Sequence, residues 1–166
     1  MKRHAALVPL SRQHHDALAL GVFIQRGLRD GAGPRAAERL RRQALDVWNL
    51  ELSGHFEVEE TVLFPAARQA VPEPETVDRL LREHDGIREA FSALEHAGPG
   101  KLESSLQVLR ERLVDHIRFE ERVVFEALQE SMAEQALAAL GLEIDAALPR
   151  LCVRLGSAAA APRAGS

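Results

Sequence analysis

A ten-residue pattern that occurs twice constrains the fold of this chain more than any other feature. The first copy is HFEVEETVLF at residues 55–64, and the second is HIRFEERVVF at residues 116–125. In both copies a histidine is followed four residues later by a pair of glutamates, and a phenylalanine ends the pattern. Residues four apart lie on the same face of a helix, so each copy presents an imidazole and a carboxylate among apolar neighbours. A buried unpaired carboxylate is costly, and a metal ion would remove that cost.

The rest of the chain predicts an all-α fold. Aromatic residues make up only 4% and tyrosine is absent, which disfavours β-sandwiches and barrels, whereas good helix formers dominate. Helices are predicted from Ser11 to about residue 29, from Pro34 through the first copy to near Pro65, over 75–96, from 102 through the second copy to about 131, and, shorter and interrupted near Gly141, over 133–148. Four consecutive helices with short connections predict an up-down-up-down four-helix bundle with a short extra C-terminal helix.

The length of 166 residues fits one domain, predicted here to span residues 1–155. Residues 156–166 are rich in alanine and are predicted to form a disordered tail. The formal charge of −4 comes from interspersed signs, so neither a nucleic acid nor a membrane surface is predicted as a partner. The single cysteine, Cys152, fits a reducing compartment and a cytoplasmic location.

A second, shorter repeat lies in the first and third predicted helices. His15-Asp16-Ala17-Leu18 is similar to His84-Asp85-Gly86-Ile87, since both read histidine, aspartate, a small residue and an aliphatic residue. The two kinds of signal therefore alternate along the chain. Two helical hairpins related by a pseudo-twofold axis would bring all four signals into one central layer, as a two-metal site in a bundle requires.

The predicted metal ligands share this layer and are His15, His55, Glu59, His84, His116 and Glu120. Four imidazoles and two carboxylates suit iron, manganese or zinc, and the set contains no thiolate. If both carboxylates bridge, each metal receives two nitrogens and two oxygens. A lone histidine in a helix is more often an ordinary core or surface residue, but two matched copies favour the metal interpretation.

The choice between His14 and His15 needs an argument, because successive helical residues point about 100° apart. His15 is favoured since it matches His84 in the shorter repeat. It also shares its face with Leu18 and Val22, which are expected to pack inward.

Three further glutamates lie close to the predicted ligands in sequence. Glu60 and Glu121 are one residue past a predicted ligand, so hydrogen bonding around the site or solvation is expected rather than ligation. Glu51, four residues before His55, could also reach the site, and the sequence leaves its role open.

The ligand set resembles that of the hemerythrin-like proteins with the HHE cation-binding domain. The resemblance rests on His15, His55-x3-Glu59, His84 and His116-x3-Glu120, and it covers roughly residues 8–130. It implies a four-helix bundle that holds two non-haem irons, bridged by two carboxylates and an oxo or hydroxo species. Arg88 stands where the oxygen carriers have a second histidine, and Glu120 replaces their aspartate one position later. Both differences resemble the bacterial HHE proteins more than the carriers.

The predicted function is that of a di-iron binding protein that engages O2, NO or peroxide in sensing, iron handling or stress response. No catalytic residue is assigned. One alternative is a di-iron enzyme that reduces peroxide or nitric oxide, which the lack of tyrosine and of a general acid beyond the ligands disfavours. Another is a zinc-binding structural protein, although structural zinc sites are typically closed and four-coordinate. Zinc and manganese stay open as metals, and the oligomeric state is not predicted.

Overall fold

Helices form every regular element of the computed structural model, which describes residues 2–29, 33–71, 73 and 75–158. A single 3-10 turn at Ala5–Leu7 leads into α1, which is Val8–Arg29. The second helix, α2, begins at Gly33 and ends at Ala70, and α3 is Glu75–Glu95. The fourth helix, α4, begins at Leu102 and ends at Ser131, and α5 is Glu134–Ala158. The prediction of an all-α fold is confirmed for this part of the chain. Helix α5 is longer than predicted, because it continues past residue 148 and into the first residues of the predicted disordered tail, of which 159–166 lie outside the described residues.

The first helix begins one turn earlier than the predicted start at Ser11. His4 caps the preceding 3-10 turn, because its Nδ1 accepts a hydrogen bond from the backbone N–H of Ala6 at 3.1 Å. Pro9 lies in the first turn of α1, where its missing N–H leaves no hydrogen bond unmade. Residue 14 therefore lies well inside the helix, and its direction is fixed by the helical repeat.

Helices α2 and α4 contain π-helical segments, which widen the turn by one residue. In α2 these segments are Trp48–Leu52 and Glu59–Leu63, and in α4 the segment is Glu120–Val124. Two of them thus begin at the same offset in the ten-residue pattern. The backbone N–H of each glutamate is shared between two carbonyls, those of the residues three and four positions earlier. Such insertions are frequent at functional sites.

Pro65 does not end α2, contrary to the prediction that the helix ends near this residue. The helix continues as Phe64–Ala70, with Pro65 in the first turn that follows the π segment. The missing proline N–H therefore falls at a junction between two helical forms, where the regular hydrogen-bond ladder is already interrupted.

Both α1 and α3 pack along α2 and α4, while α5 packs against the N-terminal turn and the central part of α2. Gly141 does not interrupt α5 as predicted. A Cβ atom at Gly141 would lie 2.7 Å from the Cα of Ala6, so the glycine allows the helix to approach the N-terminal turn closely. Nowhere in the described residues is a helix both long and apolar enough to cross a membrane.

Two apolar clusters lie on either side of a buried polar layer. In α1 the layer residue His14 stands between Leu10 of one cluster and Ala17 of the other, and in α3 His84 stands between Leu80 and Ile87. A fully buried leucine or phenylalanine stabilises the folded state by about 1.5–3 kcal/mol. These clusters offset the cost of burying imidazoles and carboxylates between them.

Candidate metal centre

Six ionisable side chains meet in the buried layer, and each is at most 2% exposed. They are His14, His55, Glu59, His84, His116 and Glu120. Helices α1 and α3 each supply one histidine, and α2 and α4 each supply a histidine and a glutamate from the ten-residue pattern. Five of the six residues predicted from the sequence therefore lie together.

The predicted position of His15 is wrong, and His14 takes its place. His15 is exposed, whereas His14 is 2% exposed, and its Nε2 lies 3.2 Å from Glu59 Oε1 and 3.4 Å from Glu120 Oε2. The reason lies in the buried face of α1, which does not include Val22, a residue 44% exposed. His14 corresponds in register to His84, so the match between the two His-Asp dipeptides is displaced by one residue.

The carboxylate of Glu59 lies between two pairs of histidines. Its Oε1 is 2.7 Å from His55 Nε2 and 3.2 Å from His14 Nε2, and its Oε2 is 3.2 Å from His84 Nε2. Ligand atoms of His14, His55 and Glu59 all lie within 4.8 Å of one another, and so do those of Glu59, His84 and His116. We call these two places the His14/His55 position and the His84/His116 position.

Glu120 also connects the two positions. Its Oε2 lies 3.4 Å from His14 Nε2 and 3.5 Å from His116 Nε2. With Glu59, it gives each position two imidazole nitrogens and access to two shared carboxylates. This is the arrangement in which carboxylates bridge a pair of metal ions in helical bundles.

Four inward atoms of the layer lack hydrogen-bond partners among the described residues. Despite the short distances, His55 Nε2, Glu59 Oε2 and both oxygens of Glu120 make no hydrogen bond of acceptable geometry, and the Nε2 atoms of His84 and His116 are 3.1 Å apart. In the neutral form that binds metals, an imidazole that donates from Nδ1 presents a bare lone pair at Nε2. Buried lone pairs that face one another are costly, and a pair of divalent cations would satisfy them. The residues present therefore fit a metal centre.

The Nδ1 atom of every histidine in the layer has an acceptor behind it. His14 Nδ1 donates to Glu121 at 2.9 Å and His84 Nδ1 donates to Glu60 at 2.7 Å, as expected for these two glutamates. Such acceptors fix the tautomer and the ring direction of a metal-binding histidine.

Two more acceptors were missed by the sequence reasoning. His55 Nδ1 donates to Gln13 Oε1 at 2.8 Å, and His116 Nδ1 donates to Glu83 Oε2 at 3.0 Å. Each of them is the residue immediately before the histidine of α1 or α3. That relation is visible in the sequence only once His14, rather than His15, is aligned with His84.

Arginines hold the outer carboxylates in turn. Arg88 Nη2 donates to Glu60 at 2.6 Å, so the residue that stands where the oxygen carriers have a second histidine holds the acceptor of His84. Arg3 makes the equivalent contact with Glu121. Burial would raise the pKa of Glu60, but hydrogen bonds from His84 and Arg88 lower it below its ordinary value.

Glu51 belongs to neither of the two ligand groups. It is partly buried, and burial together with the nearby charge of Asp16 raises the pKa of its carboxyl group. The sequence left open whether Glu51 reaches the site, and none of the hydrogen bonds or ion pairs among the described residues joins it to the layer.

The electrostatics of the layer favour positive charge. Burial would lower the pKa of His14, but the neighbouring carboxylates of Glu120, Glu121 and Glu59 raise it well above its usual value. Burial also opposes protonation of His84, yet its carboxylate partners raise its pKa to about 9. The pKa of Glu59 is well below the ordinary range despite burial, because its histidine neighbours stabilise the carboxylate. A metal ion that enters the layer would displace protons.

Aromatic rings cover the layer. Phe56 stacks on His84 with ring centroids 3.7 Å apart, and Phe125 stacks on His14 with centroids 5.4 Å apart. Trp48, the sole tryptophan, packs edge-on against Phe56 at 5.6 Å. These rings limit the access of water to the imidazoles and connect the layer to a partly exposed indole.

Replacing Glu60 by alanine should weaken cation binding even though Glu60 is not in the ligand layer. The change removes the acceptor that orients His84, and loss of such an outer contact typically reduces metal affinity about 10–100-fold. Equilibrium titration of the metal-free protein with Co²⁺ would measure this. Glu57→Ala provides the control, because Glu57 is exposed on the same helix. Equal affinities in the two variants would contradict the role given to Glu60.

Comparison with known proteins agrees with this geometry. Residues 7–128 match the model of the hemerythrin HHE cation binding domain. Over 111 residues, 66% of this chain, the sequence is 26% identical to a protein named DNA nickase from Nostoc sp. (strain PCC 7120 / SAG 25.82 / UTEX 2576), and the match covers 31% of that relative. No solved structure matches. Because the family model covers most of the chain and contains all six converging residues, the chain belongs to the hemerythrin family with the HHE cation-binding domain.

Proposed function

We propose that this protein binds two non-haem irons in the buried layer and uses them to engage a small ligand such as O2, NO or peroxide. The observation that carries the proposal is the position of Glu59, whose Oε1 faces His14 and His55 while its Oε2 faces His84. We propose a role in sensing, iron handling or stress response, because the layer offers groups that bind metal ions and no assigned catalytic residue that would convert a substrate. When bound, an iron pair would supply one-electron redox chemistry and coordination positions for the small ligand.

The donor set favours iron over zinc. Imidazole and carboxylate together suit iron, and shared carboxylates between two neighbouring positions differ from the closed tetrahedral sites of structural zinc. Glu59 and Glu120 would bridge, while His14 and His55 would hold one ion and His84 and His116 the other. Manganese or zinc in either position is an outcome that metal analysis would reveal.

The same proposal includes the finer architecture of the fold. We infer that α1 to α4 form an up-down-up-down four-helix bundle around the layer. Helix α5 covers the N-terminal 3-10 turn and the middle of α2. The contacts of α1 and α3 with both α2 and α4 support this arrangement. Bundles of this kind build metal sites from side chains on facing helices.

The roles of the surrounding residues follow from their contacts. Phe56 and Phe125 exclude water from the imidazoles on which they stack, and Glu60 and Glu121 hold His84 and His14 in the tautomer that presents Nε2 inward. No residue is proposed as a general acid or base, so a binding role is preferred to an enzyme that reduces peroxide or nitric oxide.

DNA nicking is not extended to this chain from its relative. The chain spans about a third of the length of that relative, and the ligand layer of this chain accounts for cation binding alone.

The proposed partner is a small ligand, with neither nucleic acid nor membrane involved. A cytoplasmic location belongs to the proposal, since the sole cysteine suits a reducing compartment.

Metal analysis tests the proposal directly. Protein expressed with iron available should contain about two irons per chain, because two positions share the bridging carboxylates. The reduced protein should oxidise within minutes in air, and vacuum should not reverse the change in its absorption spectrum. One zinc per chain and an unchanged spectrum would overturn the proposal, while full reversal under vacuum would replace it with an oxygen carrier.

A further inference from the structure

The outer contacts of the layer repeat in the two halves of the chain with one exception. Glu60 holds His84 and is paired with Arg88, just as Glu121 holds His14 and is paired with Arg3. The second type of contact breaks the repeat. His55 donates to the neutral amide of Gln13, whereas His116 donates to the carboxylate of Glu83.

This exception makes the surroundings of the two cation positions different. The imidazoles of the His84/His116 position donate hydrogen bonds to two carboxylates, those of Glu60 and Glu83. The imidazoles of the His14/His55 position donate to one carboxylate, that of Glu121, and to the amide of Gln13. A hydrogen bond to an ionised acceptor is about twice as strong as one between neutral groups, and it makes the imidazole a better donor to a metal.

We propose that the two cation positions are inequivalent, with Glu83 making the His84/His116 position the tighter one and Gln13 leaving the His14/His55 position the weaker. This inference rests on the proposed binding of two cations in the layer. Glu83 and Gln13 act as positioning residues, since each works through the histidine to which it is bonded.

The ion pair between Glu83 and Arg79 does not cancel this difference. Arg79 Nε contacts Oε1 of Glu83 at 2.6 Å, while His116 contacts the other oxygen. The Arg79 side chain is 48% exposed, so water screens its charge. Glu60 and Glu121 have arginine partners too. The remaining difference between the two positions is therefore the carboxylate of Glu83 against the amide of Gln13.

Calorimetric titration of the metal-free full chain with Co²⁺ in the absence of oxygen tests the inference. The unaltered protein should bind in two steps whose affinities differ about 10–100-fold. Glu83→Gln should weaken the tighter step and bring the two together, because the amide keeps the hydrogen bond and loses the charge. Gln13→Glu should bring them together by strengthening the weaker step.

The double variant Gln13→Glu/Glu83→Gln should restore two steps in the reverse order. Trp48 reports that order, because it contacts Phe56, which stacks on His84. Its emission should fall mainly in the first step of the unaltered protein and mainly in the second step of the double variant.

Two control variants make the same charge changes away from the histidines. Glu89→Gln alters a side chain of α3 that is 78% exposed, and Gln25→Glu alters an exposed position of α1. Neither should change the titration. With iron bound, Glu83→Gln should also move a reduction potential of the pair to a more positive value, and Glu89→Gln should not.

Each failure has its own meaning. If the unaltered protein bound no Co²⁺, both the proposed function and this inference would be overturned. If it bound two ions with equal affinity, and Glu83→Gln behaved like Glu89→Gln, the cation layer would stand and the inequivalence would be wrong. Gain of affinity in Gln13→Glu keeps the test decisive even if Glu83→Gln destabilises the fold.

Discussion

Glu59→Ala should remove both metal ions rather than one, and should lower bound iron from about two per chain to nearly none. Glu59 belongs to both groups of ligand atoms, with Oε1 facing His14 and His55 and Oε2 facing His84, so its loss should take a ligand from both positions at once. The loss of affinity should exceed the roughly 10–100-fold typical of an outer contact. Metal analysis and Co²⁺ titration of the same preparations would measure it.

The matched control for this experiment is Glu57→Ala, which removes an exposed glutamate from the same helix. Glu59→Gln keeps the side-chain volume and separates loss of charge from loss of packing; it too should bind little metal, since an amide is a poorer bridge. Retention of one full equivalent of iron in Glu59→Ala would contradict the shared role of this carboxylate.

The ten-residue pattern allowed four of the six converging residues to be predicted from the sequence, and the shorter repeat added His84 as a fifth. A histidine and a glutamate four residues apart lie on one helical face in any α-helix, so no knowledge of the packing was needed for His55 and Glu59 or for His116 and Glu120. The family resemblance was also confirmed by the match over residues 7–128.

The register of α1 could not be predicted from the larger apolar residues. Its buried face contains Leu10, Ala17 and Ile24, which are spaced seven residues apart, and Ala17 gives only a weak hydrophobic signal. Val22 and Phe23 are larger but are 44% and 50% exposed. A preference for bulky residues therefore rotated the predicted helix by one position.

Other features depend on contacts between distant parts of the chain. Gln13 and Glu83 are polar residues whose sequence neighbours give no sign that they receive hydrogen bonds from His55 and His116, 42 and 33 residues away. The close approach of Gly141 to Ala6 is likewise invisible in the local sequence, where glycine suggested an interruption of the helix.

His14→Ala should remove one cation, the one held by the His14/His55 position, whereas His15→Ala should leave both in place. His14 Nε2 lies within 3.4 Å of the carboxylates of Glu59 and Glu120, and His15 is exposed to solvent. Glu59 and Glu120 stay in place in His14→Ala, so the His84/His116 position keeps all of its ligands. Bound iron should therefore fall from about two to about one per chain.

The two variants control for each other, because both remove an imidazole from adjacent residues of one helix. Retention of about two irons in His14→Ala, with loss in His15→Ala, would show that α1 turns the other residue inward when metal is present. A loss of iron in both variants would point to a general disturbance of α1, which thermal unfolding of the metal-free proteins would detect. Since His14 is packed against Phe125 and His15 contacts water, only the first substitution should lower the thermal midpoint.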